Sequence, residues 1–233
     1  MAELLDNLAN VQREIKRCAE KAGRNVDDIK LIVVSKTRSL DEVKQVAGHG
    51  VDVFAENTIQ DAMTKIPLLS HLMNLEWHFI GHLQSKKAGK IPGYFQWVHS
   101  VDSLKLAKKL STAMSNYSSN ATLNCLIQVN VSAEVSKSGM SVAEVKPFLQ
   151  QVLDLNLPCL QWRGLMTIGV NSDVEKTRQS FSQLRRLLIS CQQEYALENF
   201  DQLSMGMSDD YCMAIEEGAT MIRIGTSIFG QRN

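Results

Sequence analysis

Eight short apolar runs alternate with longer stretches of helical periodicity from Leu31 almost to the end of the chain. This alternation constrains the fold more than any other feature. Strands separated by helix-length crossovers pair in parallel, and parallel sheets carry helices on their faces. The runs are Leu31 to Ser35, Val51 to Phe54, Trp77 to Ile80, Trp97 to Ser100, Leu123 to Asn130, Gln161 to Thr167, Gln202 to Met205 and Thr220 to Ile224. Helices are expected over Ser103 to Met114, Val142 to Leu153 and Val174 to Tyr195. In the last of these, Val174, Thr177, Phe181, Leu184, Leu188, Cys191 and Tyr195 recur at three-four spacing. Leu4, Leu8, Val11, Ile15, Ala19 and Ala22 form a further helical stripe before the first strand, stopping at Gly23.

A count of eight favours closure, so the expected class is α/β. The expected architecture is a single (β/α)8 TIM barrel with an extra N-terminal helix that covers the barrel bottom. An open doubly wound sheet is the alternative; no G-x-G-x-x-G follows the first strand to support it. With 233 residues and 44% hydrophobic content, one domain spanning residues 1–233 is expected. Ser111 to Thr122 reads as the one polar, linker-like patch.

Charge narrows the partners. Lys plus Arg and Asp plus Glu each number 25, leaving no basic field for nucleic acid or an anionic membrane. Met1 to Asp6 lacks the order of a signal peptide, and no apolar stretch approaches the roughly 20 residues of a membrane span. The five cysteines are scattered without C-x-x-C spacing and read as reduced core thiols of a cytoplasmic protein. His49, His71, His78, His82 and His99 show no H-E-x-x-H or Cys/His clustering, so no metal site is expected. Trp77 and Trp97 are expected between barrel and helices.

In a parallel barrel every strand ends at one face, so the residues just after each strand converge there. The first strand delivers Lys36, the second Glu56 and Asn57, the third His82, and the sixth Met166 and Thr167. The seventh and eighth end in Ser204-Met205-Gly206-Met207-Ser208-Asp209-Asp210 and Arg223-Ile224-Gly225-Thr226-Ser227. A partly desolvated lysine has a lowered pKa and presents a free amine to a carbonyl compound. Taken alone, Lys36 reads as a lysine turned into water, and Gly-Met-Ser-Asp-Asp as a helix cap. Together, an amine opposite two loops of glycines and hydroxyls describes a site for a phosphorylated aldehyde, and pyridoxal 5′-phosphate fits that description.

The motifs Val34-Ser35-Lys36-Thr37, Phe54-Ala55-Glu56-Asn57, Trp77 to Gln84, Gly164-Leu165-Met166, Leu203 to Asp210 and Met221 to Gly230 occur in order. In this set the chain resembles the pyridoxal phosphate homeostasis protein family over nearly its whole length. The resemblance implies a fold-type-III barrel related to the N-terminal domain of alanine racemase, with pyridoxal phosphate held as a Schiff base on Lys36. It implies that Ser204, Ser208, Gly225 and Thr226 surround the phosphate. Arg223 would face the pyridine nitrogen, with Asn57 and Met166 along the ring and His82 as a further contact. Ala55 stands where glycine is usual in this pattern, and Lys86 where asparagine is usual.

Arg223 has no acceptor for a proton from the ring, which weakens carbanion chemistry, although by resemblance the racemases carry an arginine there too. Two-base racemisation also needs an acid/base opposite the lysine, and the tail from Gly225 to Asn233 is too short for the added domain that supplies one in the racemases. The expected role is therefore intracellular handling of the cofactor. The protein would be monomeric, would hold pyridoxal phosphate and would pass it to apo-enzymes that use it; an amino-acid racemase is the alternative. Lys137 is a second amine in a strand-end loop, read mainly as an exposed loop residue, with transient imine formation during transfer as the minority reading.

Overall fold

A computed structural model describes residues 2–72, 74–132, 134, 138–169 and 173–231. Helix α1 (Ala2–Lys21) leads into eight strands: β1 (Lys30–Val34), β2 (Val53–Glu56), β3 (Glu76–Phe79), β4 (Trp97–Val101), β5 (Leu123–Gln128), β6 (Leu160–Met166), β7 (Gln202–Ser204) and β8 (Met221–Ile224). All neighbours pair in parallel in sequence order, and β8 closes on β1 with Lys30 opposite Met221 and Val33 opposite Ile224. The (β/α)8 barrel expected from the alternation is present.

The crossovers carry α2 (Leu40–Ala47), α3 (Ile59–Leu69), α4 (Leu104–Tyr117), α5 (Val142–Asp154), α6 (Val174–Tyr195), α7 (Tyr211–Glu216) and α8 (Thr226–Phe229), with a 3-10 turn Ser85–Lys90 between β3 and β4. Their starts are written in the sequence. Ser39 with Glu42 and Ser141 with Glu144 form capping boxes, while Thr58, Ser103 and Asp173 each accept a backbone N–H of the first turn.

Strand alternation sorts the apolar side chains into two cores. Val33, Phe54, Trp77, Phe79 and Val98 point outward under the helices, whereas Ile32, Val34, Ala55, Trp97, Leu126, Met166 and Met221 fill the barrel interior. Trp77 lies between sheet and helices as expected. Trp97 does not; its parity sends it inward, where it stacks on His78 at 5.3 Å between ring centres. Ala55 is buried there too and is absent from the positions with left-handed backbone, so alanine is accommodated without strain.

Three further expectations are corrected. Helix α1 packs along the flank against α2, α7 and α8 rather than across the barrel bottom, beside an α8 of only four residues. The polar patch Ser111 to Thr122 is helical as far as Tyr117, because Ser111 and Met114 are buried on the inner face of α4. Cys18 and Cys212 are not free thiols; a disulfide joins α1 to α7 with their Cα atoms 5.4 Å apart. A sequence separation of 194 residues hides that proximity from any spacing rule. Cys125, Cys159 and Cys191 are free. Among the described residues, no helix is long and apolar enough to cross a membrane.

Candidate functional site

Ile32 and Val34 point into the barrel, and Lys36 is the next residue of that parity beyond the end of β1. The backbone around it is held on both sides. Lys65 Nζ on α3 donates to the carbonyl of Ser35 at 2.7 Å, and the N–H of Thr37 donates to Asp61 Oδ2 at 2.8 Å. Thr37 sits at φ 64, so the chain turns away immediately after the lysine. Buried Lys65 also reaches Glu56 Oε1 at 2.9 Å and Asp61 Oδ1 at 3.0 Å, and Ser35 Oγ donates to Glu56 Oε1 at 2.7 Å. Burial pushes the Glu56 carboxyl up to about 7, against the pull of the hydrogen bonds from Lys65 and Ser35.

Lys36 opens into a cavity of about 720 Å³ at the C-terminal mouth of the barrel. Ser208, Arg223, Gly225 and Thr226 line the same cavity, with Val34 and Ile80 as apolar wall. The structure thus brings together five of the nine residues singled out in the sequence. The loops after β7 and β8 are tied to each other, since the N–H of Ser227 donates to Ser208 Oγ at 3.3 Å. Asp210 Oδ1 stiffens the first of them by accepting from the N–H of Met207 at 2.6 Å. Gly225 packs closely against β1: a Cβ there would lie 3.1 Å from the carbonyl oxygen of Val34.

Arg223 points inward from β8 and is only 5% exposed. Its Nη1 donates to Ser204 Oγ at 2.6 Å and its Nη2 to the carbonyl of Thr167 at 2.9 Å. Burial lowers its pKa to about 10, which leaves the guanidinium charged at neutral pH. Ser204 departs from the phosphate role expected of it. Its side chain is fully buried, lies outside the cavity lining, and has its Oγ engaged by Arg223 and by His99 Nδ1 at 2.8 Å.

Asn57 and His82 line a neighbouring cavity of about 300 Å³ together with Gln128 and Asn130, and Ile80 is common to both spaces. Asn57 Oδ1 is buried there without a hydrogen-bond partner among the described residues. His82 is exposed, with Nδ1 3.7 Å from Asp102 Oδ2. Met166 lies in the interior core beside Val34 and Ile80 rather than in either lining. Glu56 is the last residue of β2 and fully buried, not a loop group, and Lys86 is exposed in the 3-10 turn. Lys137 lies outside the described residues. Sequence reasoning missed Lys65, Asp61, His78 and His99. The signal for His78 was its position between Trp77 and Phe79, since two outward aromatics force the residue between them inward.

Comparison with known proteins places this geometry. The alanine racemase, N-terminal domain family matches residues 7–233. The pyridoxal phosphate homeostasis protein of Pseudomonas aeruginosa is 41% identical over 235 residues, covering 100% of this chain and 97% of that protein. This chain belongs to the pyridoxal phosphate homeostasis protein family. Its Escherichia coli relative of the same name is 38% identical over 236 residues, with 100% and 98% covered. Among solved structures, PipY of Synechococcus elongatus with pyridoxal phosphate bound superposes with a TM-score of 0.80 at 33% identity, covering 93% of this chain and 99% of that one. An alanine racemase of Clostridium difficile in complex with cycloserine shares the fold, with a TM-score of 0.75 at 17% identity; the match covers 100% of this chain and 60% of the racemase.

Proposed function

We propose that this member of the pyridoxal phosphate homeostasis family binds pyridoxal 5′-phosphate through an imine to Lys36, holds it, and releases it to apo-enzymes. The observation that carries the reading is that Lys36, Arg223, Ser208, Gly225 and Thr226 line one cavity. Its volume of about 720 Å³ lies within the range of cofactor pockets. The residues fit the group. An amine, a fixed guanidinium and a hydroxyl-bearing loop pair match, in turn, an aldehyde, a ring nitrogen and a phosphate.

When bound, the cofactor supplies an aldehyde that captures amines and a ring that withdraws electrons when its nitrogen is protonated. Arg223 offers that nitrogen a donor and no proton acceptor, so it favours the unprotonated ring and restrains withdrawal. Ser208, with the Gly225–Thr226 backbone and the Thr226 hydroxyl, takes the phosphate. Asn57, whose Oδ1 lacks a hydrogen-bond partner among the described residues, and His82 flank the ring side from the adjoining space that shares Ile80, while Met166 lies in the core beside Ile80. The pinned peptides on both sides of Lys36 hold the amine toward the cavity.

The shared fold favours racemase chemistry as a second reading. Against it, no tyrosine or histidine is among the described residues that line the main cavity, two of its three aspartates are engaged by backbone N–H groups (Asp173 by Lys176, Asp210 by Met207), and Tyr211 lines a separate space against α1. In the same reading the protein is cytoplasmic and works as a monomer.

Purified protein supplied with pyridoxal phosphate is expected to show an imine absorption band that Lys36→Ala abolishes. A colourless wild-type protein overturns the binding reading. Incubation of the loaded protein with L-alanine in deuterated water, followed by NMR of the α-proton, tests the role. Carrier function predicts no sustained exchange, and enzyme-like exchange dependent on Lys36 overturns it.

A further inference from the structure

Beneath Arg223 a file of polar side chains runs down the inside of the barrel to its opposite mouth. Ser204 Oγ lies 2.8 Å from His99 Nδ1, His99 Nε2 lies 2.7 Å from His78 Nδ1, and His78 Nε2 lies 2.7 Å from Glu76 Oε1. Lys30 Nζ closes the file by donating to Glu76 Oε1 at 2.8 Å. His78, His99 and Ser204 are fully buried. An interior built to pack apolar side chains instead holds two imidazoles in direct contact, which is costly unless every ring nitrogen is satisfied.

With both rings neutral, only one arrangement of protons satisfies them all. Glu76 is an acceptor: burial raises its carboxyl, but the hydrogen bonds from His78 and Lys30 outweigh this and bring it down to about 2. His78 must therefore carry its proton on Nε2, leaving Nδ1 as an acceptor. His99 then carries its proton on Nε2 and donates it to His78, leaving its own Nδ1 to accept from the Ser204 hydroxyl. Ser204 Oγ, having given its hydrogen to His99, turns its lone pairs to the Arg223 guanidinium, which can only donate. Reversing the direction would point a lone pair of His78 at a carboxylate 2.7 Å away. Burial holds both imidazoles below their ordinary pKa, His99 most, so the neutral rings that this arrangement needs are the forms present at neutral pH.

We infer that His99 and His78 are positioning residues for the cofactor site: through Ser204 they fix the Arg223 guanidinium in the orientation from which it meets the ring nitrogen. The inference rests on the cofactor reading above and deepens it. The relay aims every proton toward Glu76, so Arg223 is presented with an oriented acceptor and no competing donor. Trp97, stacked on His78 at 5.3 Å and approached by Lys30 and Arg163 at 5.7 Å from its ring centre, braces the lower half.

The test has two arms. In the first, the protein with ¹⁵N-labelled histidine is examined by NMR without cofactor. His78 and His99 are expected as neutral Nε2–H tautomers, and Ser204→Ala is expected to shift His99 Nδ1 selectively. A proton on Nδ1 of either ring overturns the relay. In the second arm, pyridoxal phosphate is bound to wild type, His99→Leu and His99→Gln, and the imine band and dissociation rate are read. Gln restores an acceptor and a donor in one side chain; Leu restores neither. His99→Leu is expected to shift the band and speed dissociation about 10-fold, whereas His99→Gln stays within about 3-fold of wild type. Equal spectra and rates in all three proteins overturn the positioning role. If wild type binds no cofactor, the function reading fails alone, because the first arm judges the relay without it.

Discussion

Lys65 Nζ donates to the carbonyl oxygen of Ser35 at 2.7 Å, one peptide before Lys36. The same ammonium contacts Glu56 and Asp61, so one buried cation holds both the backbone that presents the amine and the carboxyl groups around it. Removing one member of a buried ion pair strands the other, typically at about 3–5 kcal/mol. Lys65→Met is therefore expected to lower the unfolding free energy by about that amount, with Glu56→Gln added in the same chain recovering part of it. Urea titration of the three proteins measures this. A loss below about 1 kcal/mol in Lys65→Met contradicts the pinning role.

The disulfide predicts sensitivity to thiol reductants. Cys18 and Cys212 are separated by 194 residues, so the bond restrains a very long loop of the unfolded chain. Reduction, or Cys18→Ser, is expected to cost about 2–4 kcal/mol. The urea midpoint of wild type should fall on adding dithiothreitol, while that of Cys18→Ser should not move. An unchanged wild-type midpoint with a confirmed dithiol contradicts the assignment.

Stability should also fall on acidification through the buried histidines. The native His99 pKa is depressed by burial, so below the unfolded value of 6.5 the unfolded chain binds the proton and the native chain does not. Stability therefore decreases as pH drops below about 6.5, approaching about 1.4 kcal/mol per pH unit for this ring. Glu56 works in the opposite direction: its native value of about 7 exceeds the reference 4.5, so the native state holds the extra proton between them. Comparing wild type with His99→Gln at pH 7, 6 and 5 isolates the histidine. The wild-type slope should be the steeper by up to about 1.4 kcal/mol per unit, and equal slopes refute the claim.

Gly225→Ala probes the phosphate side of the cavity. Its Cβ would lie 3.1 Å from the Val34 carbonyl oxygen and 3.3 Å from Val34 Cβ, pressing β8 away from the strand that carries Lys36. Overpacking of this kind costs about 1–3 kcal/mol. A fall of at least about 10-fold in pyridoxal phosphate affinity is expected, because the shift falls between amine and phosphate loop. Fluorescence or absorbance titration of the variant measures it, and wild-type affinity would show that this contact does not shape the site.

The barrel was legible because its signals are local. Apolar runs of the right length, a stripe over Val174–Tyr195 and capping pairs such as Ser39 with Glu42 need no knowledge of distant residues. The mouth of the barrel was legible through topology, since parallel strands deliver Lys36, Ser208 and Thr226 to one face. What escaped was long-range or inward-facing. Ser204 was assigned to the phosphate by its motif, yet its inward parity commits it to Arg223 and His99. Glu56 read as a residue of the barrel mouth and Lys65 and Asp61 drew no reading, because their mutual contact depends on how α3 lies against β2 and the loop after β1. The Cys18–Cys212 pair depends on α1 lying against α7.

The most direct test is borohydride reduction of the protein with pyridoxal phosphate, followed by peptide mass spectrometry. A single pyridoxyl adduct on Lys36 is the predicted result. An adduct only on another lysine, or none in a protein that is folded by circular dichroism, contradicts the account.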